Sequence, residues 1–70
     1  KIMPTQDYVV KDTSNNKYVS AYTSPTNYAE VDLAHIGLVP VRTQAECNSI
    51  ATDLNNATSQ NRFVVGTRPK

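Results

Sequence analysis

Residues 43–56 read TQAECNSIATDLNN, and this stretch decides the fold class. Thr43 suits a helix N-cap, because its hydroxyl can accept from an orphan backbone N–H of the first turn. Glu46 stands three residues later and completes a capping box. Val41, just before the cap, is placed to pack back on the first turns as a hydrophobic staple. Cys47, Ile50, Ala51 and Leu54 recur at helical spacing and form one apolar stripe. Asn55 or Asn56 can end the helix in the left-handed conformation. A helix with one apolar stripe needs a surface to cover, and the flanking sequence supplies strands.

Upstream, Asp7 to Asp12 (DYVVKD) and Lys17 to Tyr22 (KYVSAY) are rich in β-branched and aromatic residues, which suits strands. Asn15-Asn16 between them tolerates the left-handed angles of a tight hairpin turn. A two-residue turn there sets Ser14 against Lys17, Val10 against Ala21 and Val9 against Tyr22. Alternation then puts Tyr8, Val10, Val19 and Ala21 on one face. Val9, Lys11, Thr13, Tyr18, Ser20 and Tyr22 share the other. Thr23 to Ala29, with Ser24, Pro25, Thr26 and Asn27, has a loop signature. Val31 and Leu33 form a short alternating stretch that Gly37 breaks. Leu38 to Arg42 (LVPVR) is a third strand candidate, and Pro40 assigns it to a sheet edge or a bulge.

Downstream, a polar linker (Ala57 to Asn61) leads to a last strand, Arg62 to Thr67 (RFVVGT), in which Phe63 and Val65 share a face. Pro69 closes the pattern, and the first five residues, with Pro4, read as a lead-in. The whole is one small α+β domain over residues 1–70, a two-layer sandwich. Its antiparallel sheet has three or four strands in the order β-β-β-α-β. The helix stripe is expected to cover Tyr8, Val10, Val19, Ala21, Phe63 and Val65. The opposite face is then left for solvent or a partner.

This order of signals has a counterpart. A valine-rich strand, a polar turn and Tyr18-Val19 are followed by Thr43-Gln44-Ala45-Glu46 opening a helix. Phe63-Val64-Val65 ends the pattern. Over residues 7 to 67 the chain resembles small uncharacterised α+β proteins of Firmicutes bacteria and their phages. It departs from their acidic, lysine-rich helices, since Glu46 and Asp53 are the only charges in the helix. The resemblance implies an accessory or interaction role and supplies no catalytic residue or ligand.

Composition narrows the function classes further. Seventy residues allow only a thin core. The single cysteine, Cys47, permits no internal disulfide and suits a cytoplasmic rather than a secreted chain. Lys1 in place of an initiator Met leaves room for an upstream segment. Seven basic and six acidic residues give a net charge of +1, which offers no bulk attraction to nucleic acid or to an anionic membrane. No apolar run approaches the ~20 residues of a membrane span. With glycine only at Gly37 and Gly66, no phosphate-binding loop can be written.

Candidate chemistry is sparse. Glu30, Asp32 and His35 are neighbours of metal-ligand type, but their spacing fits no defined site; a solvated turn is the plainer reading. Cys47 stands in the first helical turn, where a thiol is activated, yet it belongs to the apolar stripe. Asn56-Ala57-Thr58 matches a glycosylation sequon, though Asn56 reads better as a helix end. These residues imply no catalytic group, no cofactor and no metal. Arg42, Arg62 and Arg68, with Lys70, sketch a basic patch. Beside Tyr18 and Tyr22 it would make a single-strand nucleic-acid platform, but the cationic density is low. Val9, Tyr18 and Tyr22 form the leading candidate, an apolar-aromatic face for a protein partner or a second copy of the chain. The resulting expectation is a non-enzymatic protein-binding or self-associating module, with nucleic-acid binding as the alternative.

Overall fold

Thr43 caps a helix, α1 (Gln44–Thr58), through the capping box its sequence predicts. In this computed structural model, which describes residues 7–69, the Glu46 amide donates to Thr43 Oγ1 over 3.2 Å. The Thr43 amide in turn donates to Glu46 Oε1 over 2.9 Å. The lead-in with Pro4 and the terminal Lys70 lie outside the described residues. The helix runs past Asn55 and Asn56, and Ser59 takes the left-handed cap at φ 56°. Asn55 does not end the helix because its side-chain amide is engaged elsewhere. Its Oδ1 accepts from the Phe63 amide over 2.9 Å, and its Nδ2 donates to the Phe63 carbonyl over 3.0 Å. Cys47, Ile50, Ala51 and Leu54 are the helix's buried residues, matching the apolar stripe.

Four antiparallel strands face this helix: β1 (Tyr8–Asp12), β2 (Lys17–Ser24), β3 (Asn27–Val31) and β4 (Phe63–Thr67), in the spatial order β3-β2-β1-β4. The fold is α+β, as expected, but the third strand is not Leu38 to Arg42. The loop signature around Pro25 is confined to a turn at Pro25-Thr26, and Asn27 to Val31 pairs with β2. Leu33–Leu38 winds instead as a 3₁₀ segment. Of the LVPVR stretch only Arg42 bridges to a strand, its carbonyl accepting from the Tyr8 amide over 2.9 Å.

The β1–β2 connection is longer than a two-residue turn. Lys17 pairs with Asp12, so Thr13 to Asn16 form the loop and Asn16 alone has positive φ, 58°. Side chains hold the wider turn. Asp12 Oδ1 accepts from the Ser14 amide and hydroxyl, and Asn15 Oδ1 accepts from the Lys17 amide. Moving the partner of Lys17 from Ser14 to Asp12 is a slip of two residues, so the side-chain period of two leaves the faces near the turn unchanged. Val10 and Val19 therefore point to the helix, while Val9 and Tyr18 point away.

Farther along β2 the faces change. The β2–β3 register shifts between Val19 and Ala21, a bulge that inserts an extra residue and reverses the alternation. Tyr22 and its cross-strand partner Tyr28 consequently pack on the helix-side core, and Ala21 is exposed. Arg42 accompanies the bulge, donating to the carbonyls of Val19 and Ser20 over 3.1 and 3.2 Å.

Two cores result. The larger contains Val10, Val19, Cys47, Ile50, Ala51, Leu54 and Phe63, with Tyr8, Tyr22, Tyr28 and Val65 at its margin. The smaller lies on the opposite face, where Val9, Tyr18 and Val39 pack together with Val31 and Ile36. The segment from Leu33 to Val39 thus acts as a strap over β2 and β3. Arg68 pins it, donating to the carbonyls of Ile36 (2.6 Å) and Val39 (2.8 Å) while its Nε meets the Asp7 carboxylate at 2.8 Å. The chain itself covers the second face of the sheet at Val9 and Tyr18, while Val64 on the same face of β4 stays exposed.

Candidate protein-contact surface

Val9, Tyr18 and Tyr22, the face predicted for a partner, do not come together on the surface. Val9 is 2 % and Tyr18 7 % exposed beneath the strap. Tyr22, displaced by the bulge, reaches α1, where its hydroxyl donates to Asp53 Oδ2 over 3.2 Å. Burial pushes the Tyr22 phenol up, and the Asp53 carboxylate pushes it in the same direction. The alternation rule placed Val9 and Tyr18 correctly opposite the helix, but a strap of low regularity gives no periodic signal of where it will lie.

The three arginines of the nucleic-acid reading are each engaged within the chain. Arg42 holds the β2 bulge and Arg68 holds the strap. Arg62 lies over the Phe63 ring, 4.9 Å from its centroid, with Nε 3.4 Å from Asp12 Oδ1 and Nη1 donating to Gln60. All three are half-buried rather than displayed. Guanidinium groups committed to carbonyls and carboxylates do not make a phosphate-tracking groove.

Nor do the candidate metal ligands converge. His35 Nδ1 and Asp32 Oδ1 are exposed and 2.6 Å apart, and this hydrogen bond is the main cause of the lowered Asp32 carboxyl. Glu30 accepts instead from Asn15 over 3.1 Å. Among the described residues no group of three or more His, Cys, Asp or Glu side chains is arranged to hold a metal ion. Cys47 is fully buried, and burial pushes its thiol up, against the requirement of a reactive thiolate. Asn56 of the sequon stands within α1.

Sequence reading missed a charged cluster beside the hairpin. Asp12 is completely buried although it is a carboxylate. Asp12 Oδ2 and Glu30 Oε2 are both buried, and neither meets a hydrogen-bond donor. Ionised carboxylates only accept, so what this pair needs is a proton shared between them. Burial pushes the Glu30 carboxyl up, and neighbouring Asp12 adds to the rise, against the opposing pull of Asn15 and Arg62. For Asp12 burial is also the largest influence, but the bonds from Ser14 and Glu30 and the charge of Arg62 together outweigh it and hold the carboxyl low. The two carboxyls are thus pushed apart, Glu30 up and Asp12 down. The cluster welds the β1–β2 turn to β3 and is structural in its chemistry.

The exposed large apolar side chains lie elsewhere. Leu33 is 54 %, Leu38 66 % and Val41 62 % exposed, and Val64 on β4 is 45 % exposed. Val41 does not form the expected staple. Three of these four residues fall on the strap and the few residues after it. Ile36 and Val39 point inward and anchor that segment, and Arg68 fixes its backbone, so the leucines are presented on a held chain. Solitary exposed apolar residues are ordinary, and these three are grouped by their nearness in sequence. No described helix is long and apolar enough to cross a membrane. No protein-family model, curated protein or solved structure matches the chain.

Proposed function

We propose that this chain is a non-enzymatic protein-contact module whose binding surface is the strap and the residues after it. The observation that carries the reading is the exposure of Leu33, Leu38 and Val41 within nine consecutive residues of a pinned segment. A pinned backbone loses little conformational freedom on binding, which keeps the ordering cost of association low. The surrounding polar surface, with Asp32 and His35 paired beside Leu33, has the character of an interface rim. The resemblance to small uncharacterised α+β proteins of Firmicutes bacteria and their phages implies an accessory or interaction role, which agrees with this reading. The engaged arginines leave the nucleic-acid alternative without a specific observation in its favour.

The test is affinity capture from cell extract with two baits, the wild-type chain and a Leu33→Ser/Leu38→Ser/Val41→Ser variant. The three side chains are exposed, so the variant is expected to fold like the wild type. A protein retained by the wild type and lost from the variant is the expected result. Identical captured sets would contradict the assignment of the strap.

A further inference from the structure

β4 lies at one edge of the sheet, and its hydrogen bonds can be assigned residue by residue. The Thr13 amide donates to the Arg62 carbonyl over 2.8 Å, and the Arg68 amide donates to the Asp7 carbonyl over 3.1 Å. These bonds continue the β1–β4 ladder beyond both of its ends. In an antiparallel pair the bonding residues alternate, so Arg62, Val64, Gly66 and Arg68 turn their backbone groups toward β1. Phe63, Val65 and Thr67 turn theirs outward. Asn55 satisfies both outward groups of Phe63 with its side-chain amide. Among the described residues nothing does the same for Val65 or Thr67.

Two further features set this edge apart. Phe63 to Thr67 contains no charged residue and no proline, the devices by which edge strands resist pairing. The opposite edge, β3, carries Glu30 and pairs with a bulged partner. Gly66 stands in the middle of the open stretch without a reason internal to the chain. Its φ is not positive, and a Cβ built on it would meet nothing within 4 Å. Glycine weakens a strand interior, and in strands it often marks the close approach of another backbone.

We infer that the open edge of β4 is a self-pairing seam, joining two copies of this chain antiparallel about a two-fold axis through Gly66. In that register Val65 of each copy opposes Thr67 of the other. Every outward N–H and C=O left open by Asn55 then finds a partner, with none left over. The two Gly66 residues meet as the close, non-hydrogen-bonded pair at the axis, where absent side chains let the strands approach. Within Phe63–Thr67 no like charges oppose each other, and the sheets merge into one. A second copy fits better than an unrelated strand because the open groups are complementary to themselves. The seam uses β4 and stands independently of the strap.

Light scattering behind a sizing column, over a range of protein concentrations, tests the seam. The wild-type mass is expected to double as concentration rises. Gly66→Lys places two cations face to face at the axis, while the open space at its Cβ leaves the single chain undisturbed. It is expected to stay at the mass of one chain, with an unfolding midpoint no lower than the wild type's at dilutions where both are single chains. Thr67→Pro removes an outward donor without touching the β1 ladder and is expected to behave likewise. The strap triple variant should still double. A wild type of single mass at every concentration would overturn the seam. So would doubling by Gly66→Lys, or loss of doubling in the strap variant alone, which would leave the strap reading standing.

Discussion

The Glu30 carboxyl is pushed up and its neighbour Asp12 is held low, and this difference sets how stability responds to pH. The folded value for Glu30 lies above its ordinary 4.5, so its contribution is complete below 4.5 and is lost as pH rises through the raised value. The folded value for Asp12 lies below its ordinary 3.8, so its contribution is present above 3.8 and is lost as pH falls through the lowered value. The pair is therefore most stabilising on the mildly acidic side. Denaturant midpoints measured across pH should fall as Glu30 ionises, and Glu30→Gln should flatten that limb because the amide still donates to Asp12. An unchanged pH slope in the variant would show that the proton is not shared. Nothing in the sequence marked Asp12 as buried. It sits where a strand runs into a polar turn, a position usually solvated, and only the wider turn folds its carboxylate inward beneath Arg62.

Among the elements, α1 was legible because its signals are local. Thr43, Glu46 and the apolar stripe lie within twelve residues and agree with one another. Replacing Thr43 with Ala should cost about 1 kcal/mol, measurable by chemical denaturation. The helix end was misread because Asn55 serves β4 rather than its own helix. Asn55→Ala should cost roughly 1–3 kcal/mol by leaving both Phe63 backbone groups without their partner, and it should speed amide exchange at Phe63. Strand β3 and the strap were exchanged in the sequence reading for a related reason. Tyr28-Ala29-Glu30-Val31 has no strong alternation of its own and becomes a strand by pairing with β2. Leu38 to Arg42 looks more strand-like, yet Pro40 interrupts it and a single bridge is all that forms. Arg68→Leu should free the strap, raising amide exchange at Val39, whose N–H bonds to the Ile36 carbonyl over 3.1 Å, while α1 keeps its protection.

For the whole molecule, the fold class followed from one amphipathic helix between strands, since such a set has few ways to bury its apolar surface. The placement of the proposed binding surface did not follow. One helix over one sheet implies an uncovered second face, and that implication failed at Val9 and Tyr18 because an irregular segment held by long-range arginine bonds covers them. Covering Val9 and Tyr18 leaves the exposed large apolar side chains on the strap, just after it at Val41, and at Val64 of β4. The cover over Tyr18 is therefore the point on which the protein-contact reading turns. Proton NMR of the folded chain tests it directly, through nuclear Overhauser effects between the Ile36 methyl groups and the Tyr18 ring. Clear cross-peaks, with Val39 joining the same set, are predicted by the packing of these residues into one cluster. A Tyr18 ring with no contacts from residues 33–39 would mean that the strap is open, and would return the binding surface to the sheet face it was thought to cover.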